Sequence, residues 1–549
     1  MAGTRFIPAL TALLFGAACA TGPVVTSRPA STAPSSAAQP SIVTLASPSP
    51  LIEVKMMVKA GSIADPEGKE GLAALVAGAI LQGGFGDPGN PVTKEELAEI
   101  TQAWGQGALP SVLTSSQTTT FNFTIPRDVL PDYLARVMDP MLNRPLFSES
   151  EIDRLKNEAA TQINAARFVD LESLGLAVID QYILAGTRFE HQPFGTELSV
   201  PGITRDDVVR FHRDFYRAGN IILGISSEDP AVVEPIARVV RRINSDVTTP
   251  IPSIDAGRVV EIRGREAVII EEPNAPAASL HLGFPLPINR TSPDFWPLYV
   301  ANVWLGTHRD SFGRLYQAIR EERGYNYGNY SYIEHLVGRP RFLFPPFNTP
   351  RDTQHFSIWI RPVAHEFAYP LLKAATWELD RLVREGLTDE QVIAAKNKAR
   401  VLYVNLAETL DRLLAAKIDD AFYGMTPGYL EGYLERIDAV TADQVREAVR
   451  KALQTTNIRY LVVTDSAHAP GLAQQIRENQ PSWGKELADY QIDRVTLPDG
   501  RIVWQVSEDR LETIRLDAVW ANYPLDIRRV EIIPVAAVFR EGRLFGPAK

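Results

Sequence analysis

Apolar and polar positions alternate along the chain in short strand-like runs that give way to long amphipathic stretches, and this succession occurs twice. Leu51 to Val58 and Thr118 to Ile125 have the β-branched and aromatic content of strands, whereas Glu149 to Arg167 and Thr388 to Leu414 repeat their apolar residues at helical spacing. Strands grouped apart from helices predict an α+β fold, each lobe an antiparallel-type sheet packed with helices, rather than a doubly wound parallel sheet.

Two pairs of segments fix the period. Thr204 opens a helix-like segment that runs into the strand-like Asn220 to Gly224, and Thr441 opens one that runs into Asn457 to Leu461; the threonine-to-asparagine interval is 16 residues in both. Each threonine is a predicted N-cap with an acidic residue in the first turn. Lys156-Asn157 and Lys396-Asn397 stand 240 residues apart, and Thr204 and Thr441 stand 237 apart, so two independent matches share nearly one offset and predict a duplication. The boundaries that follow are 50–247 for the first lobe, 248–257 for a Pro-containing linker, 258–467 for the second lobe, and 468–549 for an extension that fits neither copy. In that extension Leu497-Pro498-Asp499-Gly500 is a turn before a strand at Arg501 to Val506.

The N-terminus departs from this pattern. One basic residue, Arg5, precedes an apolar stretch from Phe6 to Ala18 that is too short for a permanent membrane span and ends at Gly16-Ala17-Ala18-Cys19. Cys19 is the only cysteine in the chain. This resembles the lipobox of bacterial lipoproteins, with Gly16 where that motif prefers leucine, and it makes Cys19, at the end of a signal segment over residues 1–19, the expected lipid attachment site and mature N-terminus. The alternative is an ordinary signal peptide with Cys19 incidental. Residues 20–49, rich in Ser, Thr, Ala and Pro, read as a flexible tether. Ala20 after the cysteine points to the outer membrane, so the expected location is the periplasm, lipid-anchored. With no second cysteine, no disulfide framework is available. A formal charge of -10 with no basic block argues against a nucleic-acid partner.

The candidate chemistry lies first in Gly71-Leu72-Ala73-Ala74-Leu75-Val76-Ala77-Gly78-Ala79-Ile80-Leu81-Gln82-Gly83-Gly84, which follows a strand and the loop Ala60-Gly61-Ser62. It resembles the signature helix of the insulinase and pitrilysin zinc peptidases, which includes the mitochondrial processing peptidases and reads Gly-Leu-Ala-His-x-x-Glu-His. There two imidazoles at i and i+4 hold zinc and the glutamate serves as general base. Position by position, the resemblance puts Ala74 and Gly78 at the histidines and Ala77 at the glutamate. The third ligand falls at Gln162, with Glu158 the nearest alternative. The resemblance therefore implies the family's two-lobed clam-shell fold with no catalytic residue and no metal site on this chain. Its eight histidines, His191, His212, His281, His308, His335, His355, His365 and His468, include no pair three or four apart and read as surface or satisfied core residues.

The second candidate is Asp310 to Tyr327, which resembles the family's second-lobe signature, Arg-Leu-x-x-x-Leu-Arg-Glu followed by Gly-x-x-Tyr. By that resemblance Arg320 and Tyr327, seven apart, bind substrate backbone and stabilise the developing oxyanion, with Gly324 as helix C-cap and Tyr325, Tyr327, Tyr330 and Tyr332 on a following strand. The alternative is a structural helix end, with Arg320 paired to a surface glutamate and Tyr327 packed. A blank zinc helix beside a retained Arg and Tyr is the pattern of a non-catalytic subunit. The expectation is a substrate-binding partner of a zinc-bearing homologous peptidase subunit, acting on peptides or unfolded protein, with zinc on the partner and no cofactor bound by this chain. The competing expectation is a peptidase-like structural or binding lipoprotein with no proteolytic role. No Ser-His-Asp, Cys-His or Walker-type constellation supports a different enzyme.

Overall fold

β-branched runs pair into two mixed sheets, each built from one half of the repeat. The structure, a computed structural model, describes residues 39–168, 170–336, 344–482, 494–504 and 508–542. Cys19 and the first part of the tether lie outside the described residues. The first half supplies Ser41–Thr44 (β1), Leu51–Val58 (β2), a hairpin of Phe85–Asp87 (β3) and Asn90–Val92 (β4), Ser111–Thr114 (β5), Thr119–Pro126 (β6) and Ile221–Ile225 (β7). The second supplies Arg265–Glu271 (β8), Ala278–Leu286 (β9), Asn329–Tyr332 (β10), Gln354–Val363 (β11) and Arg459–Thr464 (β12). Beyond it come a hairpin of Arg494–Thr496 (β13) and Ile502–Trp504 (β14), then Ile527–Pro534 (β15).

The sheet orders are β1-β7-β2-β6-β5 and β10-β11-β9-β12-β8-β15. Taken from opposite edges they coincide: β1, β7, β2, β6 and β5 match β8, β12, β9, β11 and β10, and β15 is added beyond β8. The pairing sense matches as well, parallel for β1/β7 and β8/β12 and antiparallel for the rest. The antiparallel sheets expected from the pattern are thus mixed at one edge, where β15 also joins β8 in parallel. The repeated threonines cap as the sequence predicts. Thr204 Oγ1 accepts from the Asp207 N–H at 3.2 Å and Thr441 Oγ1 from the Gln444 N–H at 3.3 Å, and both form reciprocal capping boxes.

Three expectations need correction. The tether cannot extend to residue 49, because Ser41–Thr44 pairs with Ile222–Ile225 and the Leu45 N–H bonds to the Ile225 carbonyl at 3.0 Å. Flanking serine and proline hid a strand whose Val43 packs against the cluster of Met57, Ile222, Leu414 and Ile418. The helix read from Thr388 to Leu414 is two helices, Asp389–Leu406 and Leu410–Tyr423, because Thr409 caps a second start by accepting from the Arg412 N–H at 3.3 Å. The extension after His468 is no separate appendage among the described residues. β15 completes the second sheet, and the helix Ala469–Arg477 packs against it.

The halves exchange helices. The helix Leu171–Ile183 of the first half packs on β9, β12 and β11, while Leu410–Tyr423 of the second half packs on β2, β7 and β1. The two helices start 239 residues apart, Leu171 to Leu410, close to the offset of the repeat. Close approach is bought with glycine: a Cβ on Gly224 of β7 would lie 2.5 Å from Ile418 Cδ1, and one on Gly283 of β9 would lie 2.7 Å from Ile183 Cδ1. Charged pairs span the same interface. Asp180 receives Arg351 Nη1 at 3.0 Å and His355 Nε2 at 2.9 Å, Lys55 reaches Asp411 at 2.6 Å, and Arg361 reaches Glu172 at 2.9 Å. No described helix is long and apolar enough to cross a membrane.

Candidate functional site

The helix that carries the altered motif, Leu72–Gln82, is started by a buried clamp. Asp65 accepts the Gly71 N–H at 2.8 Å and the Ala73 N–H at 2.7 Å, so one carboxylate satisfies two of the unpaired donors of the first turn. His191 Nε2 lies 3.3 Å from the same carboxylate and 2.9 Å from the Ser62 carbonyl. Arg188 donates to the Asp65 carbonyl at 2.6 Å. Burial pushes the Asp65 carboxyl up, and the His191 contact and the two N–H groups oppose that. Gly71 has φ +101°, and a Cβ there would come within 2.9 Å of Gly195 Cα, so the position requires glycine. Neither Asp65 nor His191 stood out in the sequence, since the two are 126 residues apart and belong to no motif.

The clamp presents a helix face without ligands. Ala77 is 1% exposed, inside the first-lobe core. Ala74 and Gly78 are half-buried on one face, and a Cβ at Gly78 would meet Leu155 Cδ2 at 3.2 Å on the helix Glu149–Phe168. Further along that helix Gln162 is exposed, while Glu158 is held by Arg154 together with Glu151. Methyl groups and a glycine offer no lone pair, and the carboxylate nearest in register is already ion-paired. A zinc ion does not fit these residues, and no chemical step runs through them.

The second-lobe segment is built to display two side chains. A short helical turn, Arg314–Tyr316, continues through Gln317–Glu321 and is closed by Gly324 at φ +72°, whose N–H bonds to the Arg320 carbonyl at 2.7 Å. Two of its arginines are structural. Arg314 is held by Glu378 and Glu322, each at 3.0 Å. Arg323 is held by Asp517 at 2.5 Å and lies over the Trp520 ring at 4.2 Å. Arg320 differs: its side chain is 38% exposed, its guanidinium lies 5.3 Å over the Tyr316 ring, and it contacts the adjacent Glu321 carboxylate. The surface-glutamate pairing weighed for Arg320 is therefore present, but Tyr327 is not packed, with 78% exposure.

Tyr327 lies in the turn before β10 and not on the strand, which holds only Tyr330 and Tyr332 of the four tyrosines. The turn is rigidly held. The buried Asn326 amide donates to Asn329 Oδ1 at 2.8 Å and to the Arg361 carbonyl at 2.9 Å. On the other side a Cβ at Gly328 would strike the Tyr330 hydroxyl at 2.0 Å. Arg320 thus presents a cationic fork and Tyr327 a phenol at the surface, each able to donate to a peptide carbonyl. A third grouping, His365, Asp465 and His468, is brought together by the fold although no sequence spacing announced it.

Residues 41–181 match the model of the insulinase family, peptidase family M16, and residues 202–399 match the model described as the peptidase M16 inactive domain. An uncharacterized zinc protease of Streptomyces coelicolor is 25% identical over 338 residues, 58% of this chain and 69% of that protein. Among solved structures, a peptidase M16 inactive domain from Pseudomonas fluorescens superposes with TM-score 0.64 at 18% identity, covering 78% of this chain and 96% of that one. The first half of the periplasmic protease PqqL from Escherichia coli superposes with TM-score 0.60 at 13% identity, covering 87% and 94%. At such identities these two structures establish the fold alone.

Proposed function

Because this chain belongs to the insulinase family of peptidases and is of its non-catalytic, peptidase-like kind, we propose that it is the substrate-binding subunit of a heteromeric zinc peptidase of the bacterial envelope. The observation that carries the reading is the contrast between two sites. The motif helix has its clamp and offers no ligand at Ala74, Ala77 or Gly78, whereas the second lobe holds Arg320 at the surface on a helical segment and Tyr327 at the surface on a pinned turn. The proposed partner is a zinc-bearing homologue, and its metal supplies the activated water. Arg320 donates to the scissile carbonyl oxygen as negative charge develops there, and the Tyr327 hydroxyl donates beside it. A relative with this fold is a periplasmic protease, and Cys19, outside the described residues, supplies the proposed lipid attachment to the outer membrane.

The test is co-purification with a zinc-bearing homologue followed by a peptide-cleavage assay. The chain alone is expected to leave peptides intact and the pair to cleave them. Arg320→Ala is expected to lower kcat by about 100-fold or more, the typical loss of one oxyanion donor, with assembly unchanged by size-exclusion chromatography. Full activity in both Arg320→Ala and Tyr327→Phe would sink this reading and leave a peptidase-like structural lipoprotein.

A further inference from the structure

Two chain turns at one end of the second sheet place three metal-ligating side chains together. β11 ends at Val363 and passes through the short helical turn His365–Phe367, while β12 ends at Thr464 and passes through Asp465 into the helix Ala469–Arg477, which His468 precedes. One ligating atom from each of His365, Asp465 and His468 lies within 4.8 Å of the others. The side chains are 12%, 19% and 51% exposed respectively, so two are held in the fold and the third stands at the opening.

The contacts around the cluster already orient it. His365 Nδ1 is 2.7 Å from Thr464 Oγ1, a buried hydroxyl. An imidazole anchored through one nitrogen presents the other in a fixed direction, which is how proteins set metal-bound histidines. Here the other nitrogen, Nε2, points at Asp465 Oδ2, 3.5 Å away. Thr464 can donate or accept at Nδ1; when it accepts, Nε2 turns its lone pair toward the Asp465 carboxylate, the tautomer in which both can ligate one cation. Asp465 Oδ1 meanwhile accepts the His468 backbone N–H at 2.8 Å and lies 2.7 Å from His468 Nδ1. The two imidazoles stack with centroids 4.3 Å apart and planes 6° from parallel. Glu271, the partner of Thr464 in the β8/β12 ladder, adds a further carboxylate beside the cluster, where it accepts from Ser466 Oγ at 2.7 Å.

We propose that His365, Asp465 and His468 form a binding site for a divalent transition metal of the zinc class, distinct from the motif helix. Two imidazoles and one carboxylate are a donor set suited to Zn²⁺ and its neighbours, and three protein ligands leave a fourth position to water or another group. Metal–ligand distances of about 2.0–2.2 Å require the donors to close by roughly 1 Å, a movement the exposed His468 side chain can supply by rotation. A bound ion would tie the β11 turn to the β12 turn, at the sheet end where Tyr327 precedes β10, since Asn329 pairs with Ile360 near the close of β11. The other six histidines are placed elsewhere, so variants can assign the metal. This inference is independent of any partner subunit.

The experiment titrates Zn²⁺ alone into the full chain, stripped with chelator, against a competing chromogenic chelator, and records the thermal melt with and without zinc. Saturable uptake of one zinc per chain is expected, with a raised melting temperature and an intense cobalt(II) visible spectrum on Co²⁺ substitution. His365→Ala and Asp465→Asn are each expected to weaken zinc binding at least about tenfold. His468→Ala, at an exposed side chain, is expected to do the same without changing the melt of the metal-free protein. The proposal is overturned if the wild-type chain takes up no zinc, or if the His365→Ala/His468→Ala double variant binds it as the wild type does. Neither result bears on peptide cleavage by a partnered complex.

Discussion

Individual residues show what holds the motif helix in place and which side chains it presents. Asp65, Gly71 and His191 still start the motif helix, yet the positions it presents are Ala74, Ala77 and Gly78. Buried histidines also make the fold sensitive to acid. Burial holds His212 down to about 4 and His281 down to about 3, from an ordinary 6.5. Between pH 6.5 and 4 the unfolded chain takes up protons that the fold excludes, so stability rises with pH across that window and is lost on acidification. Each group costs about 2 kcal/mol at pH 5. Asp180 does not act in this range. Burial pushes its carboxyl up, but Arg351 and His355 outweigh that and hold it well below the usual carboxylate range, so its stabilising contribution is lost only below about pH 3.8. Asp419, pushed up to about 7 by burial, acts in the opposite sense over the same window, so the expected outcome is a difference: between pH 7.5 and pH 5 the wild type loses more melting temperature, or gains less, than a His212→Phe variant, and identical pH profiles would show that the His212 ring is not buried neutral.

At the scale of elements, the parts that were legible were those whose signal is local. The capping threonines Thr204 and Thr441, the strand Leu51–Val58 and the motif helix follow from neighbours within a few residues. What was missed depends on distant chain. The strand Ser41–Thr44 exists because β7 offers it an edge, and His365 meets His468 only because β11 and β12, on either side of β9, finish at the same end of the sheet. The motif helix itself can be tested. Ala77 is surrounded by the first-lobe core, so a glutamate there would be a buried, unpaired carboxylate. Ala77→Glu is expected to destabilise the protein by at least about 3 kcal/mol in denaturant titrations. A variant as stable as wild type would mean that the old catalytic position still opens to water, and the helix would then be a cleft wall rather than core.

For the whole molecule, the exchanged helices decide how the two lobes depend on each other. Leu174, Val178 and Ile179 of the first half are buried against Val268, Ile270, Leu461 and Val463 of the second. In return Leu414 and Ile418 of the second half cover Met57 and Ile222 of the first. Each fully buried aliphatic side chain contributes about 1.5–3 kcal/mol relative to exposure, and the Asp180 carboxylate would lose its contacts to both Arg351 and His355 if the halves parted. Neither half can keep its sheet covered alone, despite having the complete strand order of a lobe. Residues 39–247 and 258–542 expressed separately are therefore expected to be insoluble or to lack a cooperative melt, and co-expression is expected to restore a soluble complex. The intact chain is expected to unfold in a single calorimetric transition. A monomeric first half with its own cooperative transition would refute this dependence and would let the lobes move as independent bodies around a substrate. The interlocked arrangement instead fixes the lobes against each other, so that the partner proposed above would meet one preformed surface, with no ordering of the two halves left to occur on binding.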